Sequence, residues 1–347
     1  MKSRLTNDLE HILEHTHGLW EEVRGNSIFI TGGTGFFGCW LLESFLWINS
    51  RLNLNAKIVV LTRNIESFRK KAPHLVSSPD IEFVVGDVRK FDFPRGIFSH
   101  IVHAAAESKA KYDDENPLEM LDTIIQGTRH TLDFAVSCGA KKYLLTSSGA
   151  VYGKQPLEIR YIPETYMGAP DVTDQTSMYG EGKRMAELLC TAYANKYGFE
   201  TKIARCFAFV GPYLPLDKHF AIGNFIQDSL HGGPIKVKGD GTSYRSYLYA
   251  ADLTVWLWTI LFKGESSYPY NVGSSKEVTI EQVANIVARS VIPASKVDIA
   301  EKPNSGNEPE RYTPDVNRVK NELCLSETIN LPEAIRLTRG WHINREV

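Results

Sequence analysis

No apolar run in this chain is long enough to cross a bilayer. The longest, "LTVWLWTILF" at 253–262, falls well short of the ~20 residues a spanning helix needs, and it reads as a buried helix. Cysteine is scarce. The five present (Cys39, Cys138, Cys190, Cys206 and Cys324) are odd in number and scattered. They show neither paired-ligand nor disulfide-framework spacing, which predicts a reducing compartment. Positive charge is not in excess: 39 Lys and Arg against 41 Asp and Glu give a net charge of −2. That balance argues against a nucleic-acid partner. Internal repeats and low-complexity segments are missing too. The N-terminal "MKSRLTNDLEHILEHTHGLWEEV" carries too many charges for a signal peptide. His11, His15 and His17 within it have no convincing carboxylate or cysteine partner, so a surface helix is expected there and no metal. Together these absences predict a soluble, cytoplasmic protein without a membrane partner.

What is present is an alternation. Hydrophobic residues make up 43% of the 347, enough for one large α/β domain or a domain with a smaller lobe. The first 25 residues read as one amphipathic helix with Leu5, Leu9, Ile12 and Leu13 on a side. Strand-like runs then alternate with helical stretches: "SIFITGG", "KIVVLTRN", "IEFVVGD", "SHIVHAAA", "KKYLLTSS" and "TKIARCFAFVG". Such alternation predicts crossover units on a parallel sheet covered on both faces. After Gly211 the pattern weakens into segments rich in Pro, Gly and polar residues, as binding loops or a small lobe would be. A helix from about Ala250 and the short strand "YPYNVG" would return to the main sheet. "TIEQVANIVARSV" reads as an amphipathic helix opened by Thr279.

Within "IFITGGTGFFGCWLLESFL", Gly32, Gly35 and Gly38 lie between the first strand and a helix. Glycines there allow a tight turn, close approach to a pyrophosphate and close helix packing, and the helix N-terminus offers N–H groups to phosphates. An acid ending the second strand would bind a ribose 2′-hydroxyl, whereas an arginine can take a 2′-phosphate. Here "VVLTRN" ends in Thr62 and Arg63 with no acid before Glu66, which favours NADP(H) over NAD(H). Asp87, closing the third strand in "VVGDVRK", could meet the adenine edge or cap a turn.

"SMYGEGKRMAE" sets Tyr179 and Lys183 four residues apart, on one helix face. A tyrosine, with its pKa near ~10, is a poor base at neutral pH. A neighbouring ammonium and a positive nicotinamide ring both favour its phenolate. Ser148, ending the strand "KKYLLTSS", could share the substrate's reacting oxygen with Tyr179.

In order and spacing, the glycine turn, "HAAAES", "TSSGAVYG", "YGEGK" and "RCFAFVGP" resemble the extended short-chain dehydrogenase/reductase family. More narrowly they resemble its NAD(P)-dependent nucleotide-sugar epimerase/dehydratase branch, from about Asn26 to Trp341. The resemblance implies a Rossmann-type, doubly wound parallel sheet over 1–207, with 245–273 returning to it. A smaller nucleotide-sugar lobe would be made by 208–244 and 274–347. It implies Ser148, Tyr179 and Lys183 as the catalytic trio, Lys183 also binding the nicotinamide ribose. The implied cofactor site adds Phe36, Phe37, Val88, Ala104, Ala105 and Ala106. For the substrate it implies Arg245, in the spacing Gly241, Arg245, Tyr249, Asp252, together with Asn224, Arg311 and Glu107. Helices near 117–137 and 178–197 carry apolar residues beyond one stripe, including Met120, Leu121, Ile125, Leu188 and Leu189. In the family such helices pair across a two-fold axis, so a homodimer is expected.

The resemblance also separates reactions. The branch's 4,6-dehydratases carry Asp-Glu directly after the hydroxyl that Ser148 matches, and its decarboxylases keep a glutamate at the second of those positions. This chain has Gly149 and Ala150 there. Eliminating water requires a positioned acid and base, so dehydration is disfavoured. The leading expectation is a nucleotide-sugar 4-epimerase; a 4-ketoreductase or dehydrogenase comes next, and a non-catalytic nucleotide-binding module last. Two departures point to an unusual sugar pocket: Ala208 and Ile124 replace family asparagines, and Glu107 could supply an acid from another direction.

Overall fold

A computed structural model describes residues 5–105, 116–218, 220–302 and 308–343. The chain divides into two compact units. The first comprises 1–153, 168–205 and 254–270; the second comprises 154–167, 206–253 and 271–347.

The strands of the main sheet are β1 (Ser27–Thr31), β2 (Lys57–Thr62), β3 (Ile81–Val85), β4 (Phe98–His103), β5 (Lys142–Ser148), β6 (Glu200–Cys206) and, at its edge, Pro269–Val272. Their order across the sheet is the edge strand, β6, β5, β4, β1, β2, β3. The pairs β1–β2, β1–β4, β2–β3 and β4–β5 are parallel. α1 (Thr6–Thr16) precedes the sheet, and the crossovers that parallel pairing needs are supplied by α2 (Phe36–Leu52), α3 (Ile65–Lys71), α4 (Pro73–Val76), α5 (Pro117–Cys138) and α6 (Met178–Tyr197). This is a Rossmann-type, doubly wound sheet. β1 and β4 are buried along almost their whole length, because a sheet covered on both faces hides both sides of each strand. Phe29 packs on Phe91, Phe98 and Phe134 at its centre.

Local signals set the helix ends. Asn116 caps α5, its Oδ1 accepting the Glu119 N–H at 3.3 Å, with Pro117 in the first turn. The N-terminal segment differs from the single helix expected. α1 stops at Thr16, and residues His17–Val23 continue as a 3₁₀ helix. Thr16 explains the change: its hydroxyl donates back to Ile12 O at 2.6 Å and accepts the Trp20 indole N–H at 3.1 Å. Tightening the winding brings Trp20 inward, where it meets Trp258 edge-on at 4.9 Å.

The second unit carries α7 (Ala221–Leu230), the first turn of α8 (Ala250–Lys263), α9 (Ile280–Arg289), α10 (Asn317–Leu323) and α11 (Leu331–Ile343). Its short strands include β7 (Phe209–Val210), β8 (Ile235–Val237), β9 (Tyr244–Arg245) and β10 (Leu248–Tyr249). Val278–Thr279 pairs antiparallel to β9, and Arg311–Tyr312 pairs parallel to it. Thr279 and Gln282 form a reciprocal capping box at the start of α9. Residues 250–262 of α8, containing the apolar run, are buried. Among the described residues no helix is long and apolar enough to cross a membrane, no group of three His, Cys, Asp or Glu is placed to hold a metal, and the five cysteines are free thiols.

Candidate active site

The three candidate catalytic residues all lie in the first unit. β5 ends at Ser148, whose Oγ accepts the Ala150 N–H at 3.2 Å as the chain enters the short 3₁₀ turn Gly149–Tyr152. Tyr179 and Lys183 occupy the first turns of α6. Lys183 is buried, its Nζ donating to Thr146 O at 2.8 Å and lying 5.9 Å from the centre of the Tyr179 ring. A buried ammonium held by a β5 carbonyl is a fixed positive charge beside a phenol. The geometry suits Tyr179 to give or take a proton.

The glycine turn lies where β1 runs into α2. Gly32 has φ +72°, and a Cβ there would stand 2.4 Å from the carbonyl carbon and oxygen of Ala104. Only hydrogen fits so close to β4's end. A Cβ on Gly38 would likewise meet the Gly33 backbone at 2.3 Å, drawing α2 against the turn. Gly35 is exposed and caps α2 without a side-chain bond. Phe36 and Phe37, partly buried, open the helix. The glycine cradle and the uncapped first turn fit a dinucleotide's phosphates. Ala104 N donates to Thr31 O at 3.1 Å and Ala105 N to Thr31 Oγ1 at 3.2 Å. Ala106 and Glu107 lie outside the described residues.

A pocket of ≈ 200 Å³ opens at the end of β2, where Thr34, Thr62, Arg63, Asn64, Ser67 and Lys71 line it. Lys71 donates to Thr34 O at 2.9 Å, joining α3 to the glycine turn. Two cations and no carboxylate line the pocket, a setting for an anion. Asp87 engages Arg89 through both oxygens, at 3.0 Å to Nε and 2.6 Å to Nη2. Those hydrogen bonds hold its carboxyl below the ordinary range. Val88 is buried beside it.

The candidate substrate residues Asn224, Arg245 and Arg311 belong to the second unit. Asn224 is half-buried in α7. Arg245 lies on β9, its Nη1 donating to its neighbour Tyr244 O at 2.7 Å. Arg311 is register partner to Tyr244 rather than to Arg245. It stacks on the Tyr244 ring at 4.0 Å and donates to Glu277 Oε2 at 2.6 Å. Within the spacing that drew attention to Arg245, Asp252 is engaged elsewhere. It accepts from Thr328 Oγ1 and N and from Ile329 N.

Two buried networks escaped the sequence reading. His103 is fully enclosed, with Nδ1 2.8 Å from Thr31 Oγ1 and Nε2 3.1 Å from Thr128 Oγ1. Burial, and then the Lys183 charge, push its pKa down to about 3. It is a neutral peg under the turn. The second network joins Ser147, Glu187 and Arg205. Glu187 follows Lys183 by four residues, and that spacing was its one signal in the sequence.

A family model described as the NAD dependent epimerase/dehydratase family matches residues 28–273. The chain is 31% identical over 308 residues to UDP-glucuronic acid decarboxylase 1 of Arabidopsis thaliana, covering 89% of this chain and 68% of that protein. Among solved structures it superposes on dTDP-glucose 4,6-dehydratase from Streptomyces venezuelae with NAD bound, at TM-score 0.75 and 24% identity, covering 92% and 98% of the two chains. UDP-glucuronic acid 4-epimerase from Bacillus cereus, in complex with UDP-glucuronic acid and NAD, superposes at TM-score 0.77 and 19% identity, covering 92% and 100%.

Proposed function

The chain belongs to the NAD dependent epimerase/dehydratase family, and we propose that it converts a UDP-hexuronate through a 4-keto intermediate without eliminating water. The observation that carries the UDP-hexuronate is the likeness to the UDP-glucuronic acid decarboxylases, while Gly149 and Ala150, which directly follow Ser148 and have no ionisable group, argue against elimination. A bound nicotinamide cofactor supplies reversible oxidation at the sugar C4. Tyr179 takes the proton of the C4 hydroxyl, Ser148 holds that oxygen, and the Lys183 ammonium favours the phenolate. A 4-keto hexuronate is a β-keto acid. It can lose its carboxylate as CO₂ with the bonding electrons passing into the ketone, so no base is required. The decarboxylase relatives, 29–31% identical, support this outcome over epimerisation. Their type carries a glutamate where Ala150 stands, so the proton returned to C5 comes from another donor, with Glu107 the first candidate. Epimerisation is the second reading, favoured by the same missing acid. Incubation with UDP-glucuronic acid separates the two. A UDP-pentose, lighter by one CO₂, supports decarboxylation; a product of unchanged mass inverted at C4 supports the epimerase; a product lighter by one water overturns both.

The β2 pocket favours NADP(H). Arg63→Ala is expected to weaken NADPH binding by about one to two decades and NADH binding far less, the difference of one charge-assisted bond. The chain is proposed to act in the cytoplasm as a homodimer through α5 and α6, on which Leu118, Met185 and Leu188 stay 65%, 43% and 62% exposed while Met120 is buried in the core. A monomeric mass in solution contradicts the dimer.

A further inference from the structure

We propose that Glu187 and Arg205 are positioning residues for the Ser148–Tyr179–Lys183 group, acting through Ser147; this rests on the assignment of that trio. Three consecutive residues end β5, and each is tied down differently. Thr146 gives its carbonyl to Lys183, Ser147 donates its hydroxyl to Glu187 Oε1 at 2.6 Å, and Ser148 turns into the following 3₁₀ turn. Successive strand side chains point to opposite faces. Holding Ser147 against α6 therefore sets the rotation of the strand end and the direction of the Ser148 hydroxyl. Glu187 lies one turn beyond Lys183 and two beyond Tyr179, so the same carboxylate references all three groups to one helix.

Arg205, on β6, holds that carboxylate still. Its Nε lies 3.0 Å from Glu187 Oε1 and its Nη2 2.7 Å from Oε2, a fork-on-carboxylate pair. Its guanidinium also lies over the Tyr152 ring at 4.7 Å, in the turn that follows Ser148. Burial works against the Arg205 charge, yet the hydrogen bonds and charge of Glu187 outweigh it and raise its pKa. Both partners are largely buried, with side-chain exposures of 15% and 11%. Apolar residues of similar volume would often hold such elements together at least as firmly. What they lack is direction: a bidentate pair with a third donor on one carboxylate fixes an angle as well as a separation.

The test uses the whole chain loaded with NADPH, comparing the parent with Ser147→Ala, Ser147→Thr and Arg205→Lys. The emission lifetime of bound NADPH reports how firmly the nicotinamide is held beside Lys183, and needs no substrate. Ser147→Ala is expected to shorten it towards the free cofactor with the folded state retained at the assay temperature, and Ser147→Thr to restore it. Arg205→Lys keeps the charge but loses the fork, and is expected to act in the same direction as Ser147→Ala. With UDP-glucuronic acid, kcat in Ser147→Ala is expected to fall roughly tenfold at constant KM, because the misdirected Ser148 hydroxyl is felt in the transition state and not in binding. An unchanged lifetime in Ser147→Ala, or a change that threonine does not reverse, overturns the positioning role. A parent that leaves UDP-glucuronic acid unconverted overturns the proposed substrate instead, and the lifetimes still decide the positioning.

Discussion

The two compact units hold their candidate ligand groups in different ways. In the first, the groups are fixed by backbone. Gly32 can be nothing larger beside Ala104, and Lys183 is buried on a β5 carbonyl. In the second, two of the three are long arginine side chains on two-residue strands. Arg311 already serves Glu277 and Tyr244, while Arg245 is half-buried and touches only its neighbour's carbonyl among the bonds described. That division suits the proposed roles, chemistry in the first unit and substrate binding in the second. A reaction at one carbon requires atoms held within a fraction of an ångström, and rigid elements provide that. Gripping a phosphate needs reach and charge, which long arginine side chains provide.

This contrast meets its severest trial at Tyr179. Tyr179→Phe is expected to lower turnover by about 10²–10⁴-fold with the melting temperature unchanged; activity within a few-fold of the parent removes it from the proton-transfer role. Acid comes next. His103 and His100, with pKa values pushed down by burial to about 3 and about 4, are neutral in the folded chain and protonate below ~6.5 when it unfolds. Their contribution is full above that value and is lost as pH falls towards 4 and 3, at up to about 1.4 kcal/mol per pH unit for each histidine. Melting curves at stepped pH should show the loss, and His100→Asn should flatten it. A parent equally stable at pH 4.5 and 7 contradicts this.

Gly32→Ala tests the backbone more directly. Its Cβ meets main-chain atoms that have nowhere to go, so a cost of about 1–3 kcal/mol and loss of retained cofactor are expected. Full cofactor content in the purified variant would mean that the turn tolerates a side chain. In the second unit effects should be smaller. Arg245→Ala is expected to weaken UDP binding by about tenfold, and Arg311→Ala by less, because part of its guanidinium is already committed to Glu277. Calorimetry with UDP measures both, and a larger loss at Arg311 would reverse their ranking.

Much of the fold was legible in the chain, for reasons visible at particular residues. The strands announced themselves because a sheet covered on both faces demands continuous apolar runs such as "KIVVLT". The Tyr179–Lys183 spacing is a helix period, readable from one segment alone. The break at Thr16 was not legible, because it depends on a threonine hydroxyl serving both Ile12 and Trp20. Nor was the engagement of Arg311, whose partner Glu277 stands thirty-four positions earlier.

Residue order alone was enough for the alternating architecture, the glycine turn and the helix that carries Tyr179 and Lys183. Each follows from local sterics or from a period of two or 3.6 residues. Which carboxylate meets which cation was settled by the folded arrangement. Glu187 faces Arg205 across eighteen positions, and Arg311 reaches Glu277 across thirty-four. Charges attract any opposite partner within reach, and reach is fixed only when distant strands are laid side by side. The burial of His103 between Thr31 and Thr128 came about in the same way, since a polar side chain can be enclosed only where the fold brings it partners.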